Sequence, residues 1–183
     1  MSRRQAAVEV GVRFPLMAVF PIRVFGDAVL NTAAAPVDSF DDDLARLIDD
    51  MLETMYAAPG VGLAAPQIGI SKRLFVYDVG EGPGHLVNPG LVEAAGEWEF
   101  DEGCLSVPER FWPILRPAYA RLEGFDADGK PLELEGDELM GRMLQHEFDH
   151  LDGKLLLERL GKRERKSALR DLRDATLGLA GLE

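Results

Sequence analysis

Cysteine is almost absent from this sequence: Cys104 stands alone among 183 residues. No disulfide can form within the chain, which suits a reducing compartment and leaves Cys104 either a small core residue or a chemical one. Histidine is nearly as scarce, with three residues, and two of them, His146 and His150, lie four positions apart. No apolar run approaches the ~20 residues of a membrane-crossing helix, so no membrane partner is expected. Positive charge is in deficit as well. Lys and Arg total 20 against 32 Asp and Glu, a net charge of −12, which repels phosphate backbones and argues against binding of free DNA by the surface as a whole. Residues 1–16 carry Arg3 and Arg4, but Glu9 and Arg13 interrupt their weak apolar stretch. They lack the pattern of a secretory signal and read as an extension, with Met17 an alternative start and a single domain over 17–183. The expected location is the cytoplasm.

What is present is 46% apolar and 28% charged, the balance of a soluble globular domain with one core. Residues 41–56 form the clearest helix. Leu44, Leu47, Ile48, Met51, Leu52 and Met55 recur at helical spacing, and Asp41, Asp42 and Asp43 gather at the positive N-terminal end. Pro59 and Gly60 end it. Short strands are expected at 74–77, 85–87, 91–93 and 97–100. Segments 119–125 and 131–135 flank an Asp-Gly turn within 126–130, a hairpin signal. Further helices are expected over 137–151 and 159–177. Strands in the middle with helices towards the ends give an α+β fold: short antiparallel strands packed around a central helix that bears His146 and His150, plus N-terminal and C-terminal helices.

That central helix carries His146-Glu147-Phe148-Asp149-His150, the H-E-x-x-H spacing. At ~3.6 residues per turn both imidazoles project from one face and can grip one metal ion, with Glu147 beside them to exchange a proton with water. A catalytic site of this kind needs a third protein ligand. The third-histidine position of one large peptidase pattern holds Leu156, and Glu158 and Glu164 lie in a charged helical stretch that suits a solvated face. His85 sits in an expected strand as a half-buried residue. Cys104 remains, within Glu102-Gly103-Cys104-Leu105-Ser106, and a thiolate is a strong ligand for a borderline divalent metal. Upstream, Gly60-Val61-Gly62-Leu63-Ala64-Ala65 fits a dinucleotide fingerprint letter by letter. It follows a helix instead of a strand, and Pro66 interrupts what comes next.

Taken together, Gly60-Val61-Gly62-Leu63-Ala64-Ala65-Pro66-Gln67, Glu102-Gly103-Cys104-Leu105-Ser106 and His146-Glu147-Phe148-Asp149-His150 resemble the three signature motifs of the peptide deformylases, in that family's order and spacing. The resemblance runs from about residue 20 to 159. It implies an enzyme that removes the formyl group from N-formylmethionine on new bacterial polypeptides. It also implies Fe²⁺ held by Cys104, His146 and His150, with Zn²⁺ or Ni²⁺ able to substitute. Glu147 takes the place of the general base and acid, and Gln67 with the Leu105 backbone N–H that of the oxyanion donors. Val61 and Gly62 would pair with the extended substrate, while Leu139 and Met143, seven and three residues before His146, would line the methionine pocket. Glu102 and Arg116 match a family pair, so a salt bridge is expected between them.

One neighbour of the site is awkward, and two features depart from the family pattern. Arg142, one turn before His146, is expected to lay its stem along the pocket and send its guanidinium to solvent. Asn31 stands where relatives often carry Arg, and Phe111-Trp112 puts aromatic bulk after the second motif. The segment 154–175 holds eight Lys or Arg against four acids, either a solvated helix or, as the family implies, a contact with the ribosome. Two rivals complete the field: a different H-E-x-x-H peptidase, and a non-catalytic homologue that binds formylated nascent chains or the ribosome.

Overall fold

The computed structural model describes residues 18–176. Seven strands and three α-helices run in the order α1 (Asp42–Ala57), β1 (Gly62–Ala64), β2 (Leu74–Tyr77), β3 (Gly84–Ala95), β4 (Trp98–Cys104), β5 (Val107–Arg116), β6 (Tyr119–Phe125), β7 (Pro131–Asp137), α2 (Glu138–Leu151) and α3 (Lys162–Thr176). Five strands form one antiparallel sheet, ordered β1-β2-β3-β6-β7, and β4 with β5 forms a separate two-stranded ribbon. This is an α+β fold. The expected extension at 1–16 and the end of the expected C-terminal helix at 177 lie outside the described residues.

The period-2 geometry of β2 explains how two helices use one sheet. Leu74 and Val76 pack with Leu44, Ile48, Met51 and Met55 of α1. Phe75 points the other way, into a cluster with Met143, Leu144 and Leu151 of α2. With both faces covered, β2 reads as an unbroken apolar run without alternation. Helix α1 is started by Asp41, whose carboxylate accepts hydrogen bonds from the Asp43 and Leu44 backbone N–H groups at 3.0 Å each.

Several expectations are corrected. The pieces expected at 85–87 and 91–93 are one twelve-residue strand, β3, because Pro89 and Gly90 sit in a register shift instead of a break. Asn88 there adopts a φ of 51°, and its side chain clamps Val37 with two 2.8 Å hydrogen bonds. The strand expected at 97–100 continues to Cys104. Strands β1 and β5 were not expected. Pro108 and Pro113 hide β5, yet a two-stranded ribbon tolerates proline because each strand has a free edge. β7 runs straight into α2, one residue later than expected, with Glu138 at φ 47° making the corner. The C-terminal helix begins at Lys162 and not 159, since Leu156–Arg159 forms a separate 3-10 turn and Leu160 is extended. Leu156, Leu157, Leu160, Ala168 and Leu172 then pack against Cys104, Val107 and Ile114, so the C-terminal segment braces the ribbon that carries the cysteine.

Candidate metal centre and substrate cleft

Helix α2 presents His146 and His150 one turn apart, as their spacing requires, and β4 delivers Cys104 against them. Their ligand atoms all lie within 4.8 Å of one another. Cys104 Sγ is 3.3 Å from His150 Nε2, which is 3.1 Å from His146 Nε2. One sulfur and two imidazole nitrogens suit a borderline divalent metal. His146 Nδ1 is committed elsewhere: it lies 2.7 Å from Glu102 Oε1, which leaves Nε2 free to face the cluster.

Glu102 is the hub of a buried charge network. Arg116 donates to it from Nη2 at 2.7 Å and Nε at 2.8 Å, the expected salt bridge. Arg116 also reaches Asp149 at 2.8 Å, and Arg159 binds the same carboxylate from the 3-10 turn. Arg142 overturns its expectation. Its guanidinium is buried, donating to Glu102 at 2.6 Å and to the Trp98 and Ile114 carbonyls at 2.7 and 3.1 Å. It also stacks over the Trp98 ring at 4.8 Å. The reason is electrostatic: with this carboxylate bonded to His146, a cation one turn away on the same helix face has a partner indoors. The i, i+4 spacing of Arg142 and His146 was the available signal that both could share one acid.

Burial and near neighbours together set the titration of these groups. It opposes charge on Glu102, but the hydrogen bonds from Arg116 and His146 prevail and hold that carboxyl well below the usual range. Burial raises the Glu147 carboxyl to about 7, against the partial opposition of nearby His146. For His146 burial is overcome by the Cys104 sulfur and Glu102, and its pKa rises well above normal. His150 moves the opposite way, pushed down by burial and by His146.

A cavity of about 390 Å³ opens onto this cluster. Every expected site residue except His150 lines it: Val61, Gly62, Gln67, Cys104, Leu105, Leu139, Met143, His146 and Glu147. His150 sits behind, fully enclosed. Gln67 is oriented by its own motif, since its Oε1 accepts from the Ala64 N–H at 2.8 Å, which turns Nε2 towards Cys104 Sγ at 3.8 Å and Ser106 Oγ at 3.3 Å. Gly62 allows Glu147 its place: a Cβ there would meet Glu147 Oε1 at 2.4 Å. Among the described residues β1 pairs only with β2 and is the sheet's edge. His85, as expected, is structural: its Nε2 accepts from the Ala127 N–H at 3.0 Å. Asn31 is exposed at the end of a 3-10 turn.

The polypeptide deformylase family pattern matches residues 19–166. The chain belongs to the peptide deformylase family. A peptide deformylase of Acidothermus cellulolyticus is 54% identical over 159 residues, covering 87% of this chain and 88% of that protein. The solved peptide deformylase of Thermus thermophilus superposes with a TM-score of 0.82 at 44% identity, over 88% of this chain and 97% of that one. That of Synechococcus elongatus in complex with actinonin gives 0.78 at 39% identity, over 91% and 93%. This deformylase is thus a metal-dependent hydrolase of protein biosynthesis, removing the N-formyl group of new polypeptides. Neither the peptidase nor the non-catalytic rival finds support. No helix among the described residues is long and apolar enough to cross a membrane.

Proposed function

We propose that Cys104, His146 and His150 hold one Fe²⁺ ion, which Zn²⁺ or Ni²⁺ can replace, and that the cleft beside it deformylates N-formylmethionyl chains. The observation that carries this is the convergence of three ligand atoms within 4.8 Å beside a buried Glu147 at the head of an open cavity. When bound, the ion supplies Lewis-acid activation of water and of the formyl carbonyl. Glu147 Oε accepts the proton of the attacking water and returns it to the departing amine nitrogen, so formate and a free N-terminus leave. Gln67 Nε2 and the Leu105 backbone N–H donate to the carbonyl oxygen as it gains negative charge. The substrate backbone adds at the β1 edge through Val61 and Gly62, where no strand of the described residues lies. Leu139 and Met143 receive the methionine side chain, one half exposed and the other buried in the core beneath.

The test is formate release from formyl-Met-Ala-Ser by anaerobically prepared, Fe²⁺-loaded protein beside Glu147→Gln. The variant is expected to lose roughly 10³-fold in kcat while its metal content holds. Release that survives the substitution would remove Glu147 from the chemistry.

We assign the whole of residues 17–183 to one catalytic domain preceded by an extension, acting in the bacterial cytoplasm. On α3, Lys162, Arg163, Arg165, Lys166, Arg170 and Arg173 are exposed while Ala168 and Leu172 anchor the helix. A basic face on an acidic body suits ribosomal RNA. Co-sedimentation with ribosomes should weaken with salt and disappear on reversal of four of these charges; binding indifferent to both excludes this contact.

A further inference from the structure

The β4–β5 ribbon pairs within itself and stands apart from the five-stranded sheet, so no strand ladder fixes Cys104 relative to the two histidines of α2. The candidate metal centre is therefore assembled across a joint, with the sulfur on one side and both imidazoles on the other. Arg142 crosses that joint from α2. Its Nη2 donates to the Trp98 carbonyl of β4 at 2.7 Å and to the Ile114 carbonyl of β5 at 3.1 Å, so one nitrogen grips both strands. Its Nη1 reaches Glu102 at 2.6 Å. The guanidinium carbon lies 4.8 Å from the centre of the Trp98 ring and 5.7 Å from that of Phe100, two rings that stack on each other. Arg116 makes the return crossing, from β5 to Asp149 on α2. The two ties bracket the ligands: Arg142 stands four residues before His146, and Asp149 one residue before His150.

These bonds differ in what they hold. Glu102 orients the His146 ring, and Arg116 grips Glu102 through two bonds of its own. The bonds from Arg142 to the Trp98 and Ile114 carbonyls touch no ligand; they fix where the ribbon lies on the helix. The C-terminal segment packs on the ribbon through apolar contacts, which carry no direction. A planar fork that stays charged when buried supplies that direction. We propose that Arg142 is a positioning residue that docks the β4–β5 ribbon on α2 and so sets how closely Cys104 approaches His146 and His150. The proposal rests on the assignment of those three residues as metal ligands.

The test uses the full chain loaded with Co²⁺, whose absorption reports its bond to sulfur, beside Arg142→Met and Arg142→Lys, each measured folded and well below its Tm. The wild type is expected to show a thiolate-to-cobalt charge-transfer band. Arg142→Met should shift or weaken that band and bind Co²⁺ about tenfold less tightly in chelator competition. Arg142→Lys keeps the charge and loses the fork, so it should fall between, with binding about threefold weaker. Wild-type affinity and spectrum in either variant overturn the proposal. Weaker binding with an unaltered sulfur band overturns it too, because the arginine would then act through Glu102 and His146 alone. Should Arg142→Met fail to fold, Arg142→Lys decides by the same readings. Absence of the sulfur band in the wild type strikes Cys104 as a ligand, and with it the site on which the proposal rests.

Discussion

Two clusters of arginine and carboxylate in this deformylase each contain a 2.8 Å ion pair and differ in surroundings. Behind His146, Arg116 and Arg142 hold Glu102 at 2.6–2.8 Å, and Arg116 holds Asp149 at 2.8 Å. On the outer face of the sheet, Arg121 of β6 reaches Glu133 of β7 at 2.8 Å, with Glu93 and Glu123 beside it. Side chains of the first cluster are 2–5% exposed and those of the second 26–59%. Distance therefore says little about consequence. In the outer cluster water solvates any group left behind when a partner is removed. In the inner one nothing does, and an abandoned charge must stay buried.

The largest effect should come from removing the hub. Glu102→Ala leaves Arg116 and Arg142 without their shared acid and is expected to cost about 3–5 kcal/mol in urea unfolding. It also frees the His146 ring, so chelator competition should show metal affinity lower by about 10–100-fold. Unchanged affinity would show that Glu102 does not orient the ligand.

Glu147 sharpens the contrast, being a buried carboxyl that forms no ion pair among the described residues; its Oε2 has no hydrogen-bond partner among them either. Its pKa in the fold is about 7 against an ordinary 4.5, so folding favours its protonated form. The stabilisation this confers is complete below pH 4.5 and is lost as pH rises through 7. In metal-stripped protein, Glu147→Gln should therefore unfold with the wild type near pH 4 and be more stable by up to about 3 kcal/mol above pH 8. A difference independent of pH would remove the raised carboxyl from the account.

Arg142→Met keeps most of the stem and deletes the charge, while Arg116 and His146 still face Glu102. About 2 kcal/mol is expected, measured by the same unfolding, because Glu102 keeps two partners, whereas Glu102→Ala takes the shared acid from three groups and leaves Arg116 only Asp149. The smallest effect belongs outside. Arg121→Ala or Glu133→Ala should move Tm by less than about 2 °C, and by nothing measurable in 1 M salt. A large loss there would break the comparison.

How much of this was readable in advance follows the range of the interaction. Helix α1 was legible because Leu44, Ile48, Met51 and Met55 carry their own period and Asp41 its own cap. The pairing of His146 with His150 was legible because four residues make one turn whatever surrounds them. The hairpin of β6 and β7 announced itself through its Asp-Gly turn. Cys104 was a candidate by elimination and resemblance, since no local rule says that a residue on β4 meets a helix some forty positions on. Strand β5 stayed hidden behind its prolines, whose cost depends on a free edge that only the two-stranded ribbon supplies.

Arg142 divides the two kinds of knowledge. Its place on the His146 face of α2 was fixed by helical geometry, and the chain alone says that much. Whether that face met water or an acid depended on β4 bringing Glu102 across from 40 residues away. The same holds for Phe111, which sequence shows only as aromatic bulk and the fold seats on Gly103 beside the cavity. Sequence by itself determined the ligand types, their spacing and the amphipathic faces, because these follow from covalent order and backbone period. Tertiary structure decided which charges lost their water and which rings kept it, because solvation belongs to neighbours that the chain meets only when folded.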